Sequence, residues 1–227
     1  MENRKWKPTV FKIDLHTHSV ASPDGGITEE QYARALSTNV LDVIAVTDHN
    51  HIDFALGLRQ RLGDKIIVGE EIMTTVGEVI GLYLTERVKP GLSPLETVKQ
   101  IKEQGGLVYV PHPFESFRHG LHPAVLEELI DYLDIIEVCN GRTFLQNHST
   151  QSVIWAKMNR IIGAASSDAH GYRGLGTTYT RVKELPKPGD LIQTIAAGTP
   201  VTDRPGVRAL LYPKYHRLRK KIRGTRK

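Results

Sequence analysis

A single cysteine, Cys139, occurs among 227 residues. One thiol cannot close an intramolecular disulfide, so nothing in the chain demands an oxidising compartment. Cys139 falls at or just past an apolar run over residues 135–138, where packing suits it better than ligation. No apolar stretch is long enough to span a bilayer, and residues 1–8 lack the apolar centre of a signal peptide. A cytoplasmic location with no membrane partner is expected. A Walker-type loop, a Ser-His-Asp arrangement and a paired-cysteine zinc module are all missing. The 171–176 segment has its glycines in the wrong order for a dinucleotide fingerprint and reads as a flexible loop. With no low-complexity tract or internal linker, and with 40% hydrophobic and 24% charged residues, the chain suits one soluble domain with a sizeable core.

Acidic residues are absent from one stretch. Residues 214–227 hold eight lysines and arginines and no acid, leaving 22 basic and 25 acidic residues elsewhere and a formal −3 on the body of a +5 chain. The organisation this suggests is a domain over residues 1–212 and a basic C-terminal tail over residues 213–227. Such a tail suits a polyanion such as nucleic acid, although a solubilising or partner-docking role fits its composition equally.

Apolar, β-branched runs at residues 10–15, 41–46, 66–68, 79–84, 107–110, 135–138, 161–165 and 179–182 predict strands. Helical signals alternate with them. Thr28-Glu29-Glu30-Gln31 has capping-box spacing and opens a helix to about Thr38. Ser93-Pro94-Leu95-Glu96 repeats that logic with proline at the first helical position, and Gly105-Gly106 ends the helix. Further helices are expected from Pro123, over 150–159 and over 190–197. The alternation implies an α/β fold with a parallel sheet and helices outside it, and the length favours a compact, incomplete barrel.

Four of the strands run into motifs rich in imidazole and carboxylate: Asp14-Leu15-His16-Thr17-His18, Thr47-Asp48-His49, Pro111-His112-Pro113 and Ser167-Asp168-Ala169-His170. Residues that end separate strands of a parallel barrel converge on one rim, where metal sites are built. His16 and His18 share a strand face and can reach one ion. Asp14 is placed to hold an imidazole N–H, and Asp48 is a similar candidate beside His49. Glu70 and Glu71 end a strand together, and only one of two adjacent side chains faces the centre. His51, His119, His122, His148 and His216 read as surface or packing histidines.

At these residues the chain resembles the PHP (polymerase and histidinol phosphatase) metal-dependent phosphoesterases, over about residues 14–182. The resemblance implies a distorted seven-stranded (β/α) barrel holding two or three divalent ions, drawn from zinc, manganese and iron. It implies His16, His18, Glu71 and Asp168 around a first ion, with Glu71 bridging to a second. His112 would join the second, together with Glu78 at a position where many members have histidine; a carboxylate there favours harder ions. Asp24, in Ser22-Pro23-Asp24-Gly25, would join His49 and His170 at the third.

Phosphate calls for cations beyond the metals, and guanidinium matches its oxygens bidentately. Arg118, Arg142 and Arg173 lie on expected rim loops as substrate-binding candidates, as does Asn140 at a strand end. The implied reaction is hydrolysis of a phosphate ester of a small metabolite, nucleotide or oligonucleotide end by a metal-bound hydroxide held on Glu71, with Asp168 the other catalytic carboxylate. The interval from Glu71 to His112 leaves room for one strand and one helix but no helical cap. Two other readings fit in part. One is an amidohydrolase-like hydrolase of C–N bonds, a class that usually bridges its metals with a modified lysine, and no lysine ends a strand here. The other is a metal-binding accessory module recruited to nucleic acid.

Overall fold

In the computed structural model, described for residues 10–143, 148–187, 189–203 and 205–224, one nine-stranded sheet curls into a nearly closed barrel. Its strands are β1 (Phe11–Asp14), β2 (Val43–Val46), β3 (Ile66–Met73), β4 (Glu78–Leu82), β5 (Leu107–Val110), β6 (Ile135–Asn140), β7 (Ile162–Ser166), β8 (Thr178–Val182) and β9 (Thr199–Thr202). They lie in the order β7-β6-β5-β4-β3-β2-β1-β8-β9. Helices α1 (Glu29–Ser37), α2 (Asp53–Leu62), α3 (Pro94–Glu103), α4 (Pro123–Glu128), α5 (Ser149–Asn159), α6 (Leu191–Ala196), α7 (Val207–Leu210) and α8 (Tyr212–Gly224) complete the chain. Among the described residues no helix is long and apolar enough to cross a membrane.

The sheet departs from the all-parallel expectation at two places. β3 and β4 are joined by a short turn with no helix, so β4 runs antiparallel to both β3 and β5. β8 is antiparallel to β1 and to β9. The remaining pairs, β1–β2, β2–β3, β5–β6 and β6–β7, are parallel. The nine strands are the eight apolar runs read from the sequence, one more than the seven that the resemblance implies, together with β9, which its Thr-Pro-Val-Thr sequence does not advertise. The ring closes through side chains: Leu15 N donates to Ser166 Oγ at 3.3 Å and Ala165 N to Thr180 Oγ1 at 2.9 Å.

Alternation along the strands sorts the apolar residues into two layers. Ile13, Val43, Ile67, Ile80, Tyr109, Ile135, Ala164 and Val182 form one buried cluster inside the ring, closed below by Leu191 and Ile195 of α6. Ile44, Val46, Ile66 and Val68 face the other way, onto Tyr32, Ala35, Ala55, Leu58, Val98 and Ile101 of the outer helices. Glu71, Glu78 and Glu137 share the inward parity of Ile67, Ile80 and Ile135, so they stand above this core at one end of the barrel.

Caps set the helices where the sequence marks them. Thr28 and Gln31 close a capping box on α1, and Ser93 and Glu96 close another on α3. α2, unmarked in the sequence, has Ile52 at its N-cap and no side-chain cap. The stretch expected to be a tail is helical from Tyr212 to Gly224, as α8; residues 225–227 lie outside the described residues.

Candidate metal centre

Nine side chains singled out in the sequence come together at the C-terminal end of the parallel strands. His16 and His18 follow β1, His49 follows β2, Glu71 lies in β3, His112 follows β5, and Asp168 and His170 follow β7. Glu78 opens β4, and because that strand is antiparallel its first residue reaches the same rim. Asp24 comes from the loop between β1 and α1. The loops are locked to one another: His18 N donates to Ala169 O at 2.9 Å, and His49 bridges in parallel register to Glu71. His112 and Asp168 hold left-handed φ values of 29° and 50°, a local strain of the kind that functional sites retain.

Three groupings of donor atoms result. In the first, His16 Nε2 and His18 Nε2 are 3.1 Å apart, with Glu71 Oε2 at 3.3 and 3.2 Å and Asp168 Oδ1 at 3.6 and 3.3 Å from them. In the second, Glu71 Oε1 faces His112 Nε2 at 3.1 Å, and Glu78 lies 3.8 Å from that nitrogen. In the third, Asp24 Oδ1 lies 3.6 Å from His49 Nε2 and 3.4 Å from His170 Nε2. Two donors serve more than the position assigned to them: His18 also belongs to the third grouping, and His49 Nδ1 lies 3.2 Å from Glu71 and 3.4 Å from Glu78. Glu71 spends its two oxygens on different groupings, as a bridging carboxylate does.

This donor set fits divalent cations. Among the described residues the donors fall into overlapping sets of three or four, each with its nitrogen and oxygen atoms within 4.8 Å of one another and nearly all of them buried. Imidazole with carboxylate suits zinc, manganese and iron. The electrostatics agree. Burial pushes the Glu71 carboxyl up, but His16 and His49 outweigh it and hold the group well below the usual carboxylate range. Burial, reinforced by repulsion from Glu71 and Asp168, drives Glu78 up to about 10. Burial lowers His18, yet Asp168 and Glu71 raise it to about 9, whereas burial carries His49 down to about 4. A cation would relieve both the crowded carboxylates and the competing imidazoles.

The surrounding contacts differ in part from the sequence reading. Asp14 accepts the backbone N–H groups of His16 (3.3 Å) and Ser167 (3.0 Å) and the Ser167 hydroxyl, so it pins β1 to the β7 loop and holds no imidazole. Asp48 likewise takes Ser19 N and Oγ at 2.7 and 2.5 Å. The carboxylate on the His16 ring is Glu137, at 3.3 Å from Nδ1, which also accepts Tyr109 Oη at 2.9 Å and His112 N at 2.6 Å. Glu137 went unread in the sequence; its signal is a lone acid inside the apolar strand Ile-Ile-Glu-Val. Glu70 points outward, where its Oε2 accepts Val88 N at 2.9 Å.

Of the four substrate-binding candidates, three meet the cluster. Arg118 pairs with Asp168 and reaches Glu115 at 3.1 Å. Arg142 Nη1 lies 3.3 Å from Asp168 Oδ1. Asn140 is a brace: its amide donates to Glu137 at 2.7 Å while its oxygen accepts from Arg118 at 3.0 Å and from Arg142 N at 2.8 Å. Arg173 is exposed and, among the described residues, makes no hydrogen bond or ion pair with the cluster; it lines a groove with Arg208, Leu211, Tyr212 and Tyr215. A cation that the sequence reading left out is present instead, since Arg217 of α8 donates to Asp24 Oδ2 at 2.8 Å.

Comparison with known proteins places this arrangement. The family model for a PHP-associated segment matches residues 147–200, the part of the chain that carries Asp168 and His170. The uncharacterised protein MJ1587 of Methanocaldococcus jannaschii is 33% identical over 157 residues, 63% of this chain and 92% of that one. MJ0417 of the same organism is 35% identical over 195 residues, 80% and 75% of the two chains. In structure, a two-domain Bacteroides vulgatus protein containing a predicted PHP-like metal-dependent phosphoesterase superposes with a TM-score of 0.71 at 20% identity, over 92% of this chain and 70% of that one. A barrel of that kind, relatives matched along most of their length and a PHP-associated segment that carries two of the nine donors together make the chain a member of the PHP family.

Proposed function

We propose that the protein is a metal-dependent phosphoesterase that hydrolyses a phosphate ester of a small metabolite, a nucleotide or an oligonucleotide end, using two or three divalent ions drawn from zinc, manganese and iron. One observation carries this reading: the guanidiniums of Arg118 and Arg142 both lie against Asp168 at the edge of the donor cluster. Cations beside a metal position suit an anionic substrate with several equivalent oxygens. Bound ions would supply an activated water and positive charge for the entering and leaving oxygens.

The chain's own groups divide the remaining work. Glu71 offers one oxygen to the His16–His18 pair and the other to His112, and so would join two ions. Glu137 accepts at Nδ1 of His16 and leaves its Nε2 lone pair for ligation. Asp168 ties the first position to the two arginines, which would turn their donors onto phosphoryl oxygens as substrate arrives. His49 and His170, with Asp24, would hold the third ion. The bridging position holds a carboxylate, Glu71, between the His16–His18 pair and His112, where the amidohydrolase-like class usually has a modified lysine. That argues against the C–N hydrolase reading.

Protein loaded with Mn or Zn and assayed against phosphomonoesters, phosphodiesters and an amide panel tests the proposal. Turnover confined to phosphate esters is expected, with Arg118→Ala and Arg142→Ala raising KM. Turnover of amides instead, or of none of the three, would overturn it.

A further inference from the structure

The basic tail is remote from the ligands in sequence but not in space. From α8, Lys220 Nζ donates to the carbonyl oxygens of Val20 (2.8 Å), Ser22 and Gly25 (3.0 Å), which belong to the loop that carries Asp24. His216 is buried against the same loop: a Cβ at Gly26 would stand 2.1 Å from its Cε1. At the start of the helix the Tyr212 ring covers Gly171, where a Cβ would stand 2.5 Å from Tyr212 Cδ2. Gly171 directly follows His170. The helix therefore seats on two of the loops that present the third position's ligands, those of Asp24 and His170, and it does so at two places where a glycine leaves room.

Arg217 adds a division of labour within one carboxylate. Asp24 Oδ1 faces His49 and His170, while Oδ2 is taken by Arg217. A carboxylate held at one oxygen cannot turn that oxygen toward the imidazoles, so the other stays aimed at them. We infer that α8 completes the third metal position, with Arg217 the positioning residue that fixes Asp24 for the ion; this rests on the metal-centre reading above. Arg217 acts through the distal oxygen and so does not compete with the cation. Loss of such a partner behind a ligand typically weakens a metal by about 10- to 100-fold.

The test is titration of full-length protein with Co(II), followed by calorimetry and by the ligand-field absorbance of the bound ion. Arg217 is 69% exposed, so replacing it leaves the core intact. Wild type is expected to take up a third ion, and Arg217→Gln to weaken that ion alone by about 10- to 100-fold. Arg217→Lys should fall between the two. Arg219→Gln, which removes the same charge from an exposed site on the same helix, should bind as wild type does. Gly26→Ala, which forces His216 off the loop without changing charge, should reproduce the selective weakening. If Arg217→Gln binds the third ion as well as wild type or more tightly, if Arg219→Gln matches its loss, or if wild type stops at two ions, the positioning role is wrong and the metal centre stands. Uptake below one ion per chain would overturn both.

Discussion

Glu70 and Glu71 are neighbours with opposite surroundings, and the pair shows what one step along a strand decides. Glu71 faces the imidazoles inside the ring; Glu70 faces outward under Val88. Glu71→Gln should abolish turnover by several orders of magnitude, while Glu70→Gln should leave kcat nearly unchanged; steady-state assays of the two variants give the ranking, and the reverse order would mean the wrong carboxylate was assigned to the bridge. Glu70 has its own pH signature. Burial raises its folded-state pKa from 4.5 to about 7, so the unfolded chain loses this proton first. Stability from this group is whole below pH 4.5 and is lost as pH rises through about 7, to a loss on the order of 3 kcal/mol. Glu70→Gln has nothing to ionise and should be the more stable form at pH 8 but not at pH 4, as urea midpoints at the two values would show. The histidines were legible because they cluster in short motifs after apolar runs. Glu137 and Arg217 were not, since each is a single ordinary charge whose meaning depends on one residue more than a hundred positions away, His16 for the first and Asp24 for the second.

Helices and strands were legible where local chemistry marks them. The boxes at Thr28 and Ser93 place α1 and α3 within a residue or two. Ser93→Ala should lower stability by about 1 kcal/mol through the lost cap, read as a shifted denaturation midpoint with unchanged metal uptake; a shift beyond about twice that value would mean that Ser93 does more than cap. α2 escaped because no side chain caps it, and α8 because a run of cations reads as a solvated tail. The antiparallel β3–β4 step also escaped, because two apolar runs separated by a short polar stretch look alike whether the chain turns back or crosses over. That step brings Glu78 to the rim.

At the scale of the molecule, ion binding and protonation are linked. His18, raised to about 9, and Glu78, raised to about 10, both carry protons at pH 7 in the ion-free chain, and a ligand must shed its proton. Binding should therefore release at least one proton and strengthen as pH rises from 6 to 8. Calorimetry in buffers of different ionisation enthalpy measures the release, and an apparent enthalpy independent of buffer would refute it. Bound ions should also raise Tm, and chelation should lower it again. Ring closure bears on when this can happen. The loop after β1 is stapled to the loop after β7, Asp14 to Ser167 and His18 to Ala169. A chain emerging from the ribosome exposes His16 and His18 long before Asp168 exists to complete their set. An ion held by His16, His18 and Asp168 together would thus be captured late in the protein's synthesis, and its capture would report that the barrel has shut.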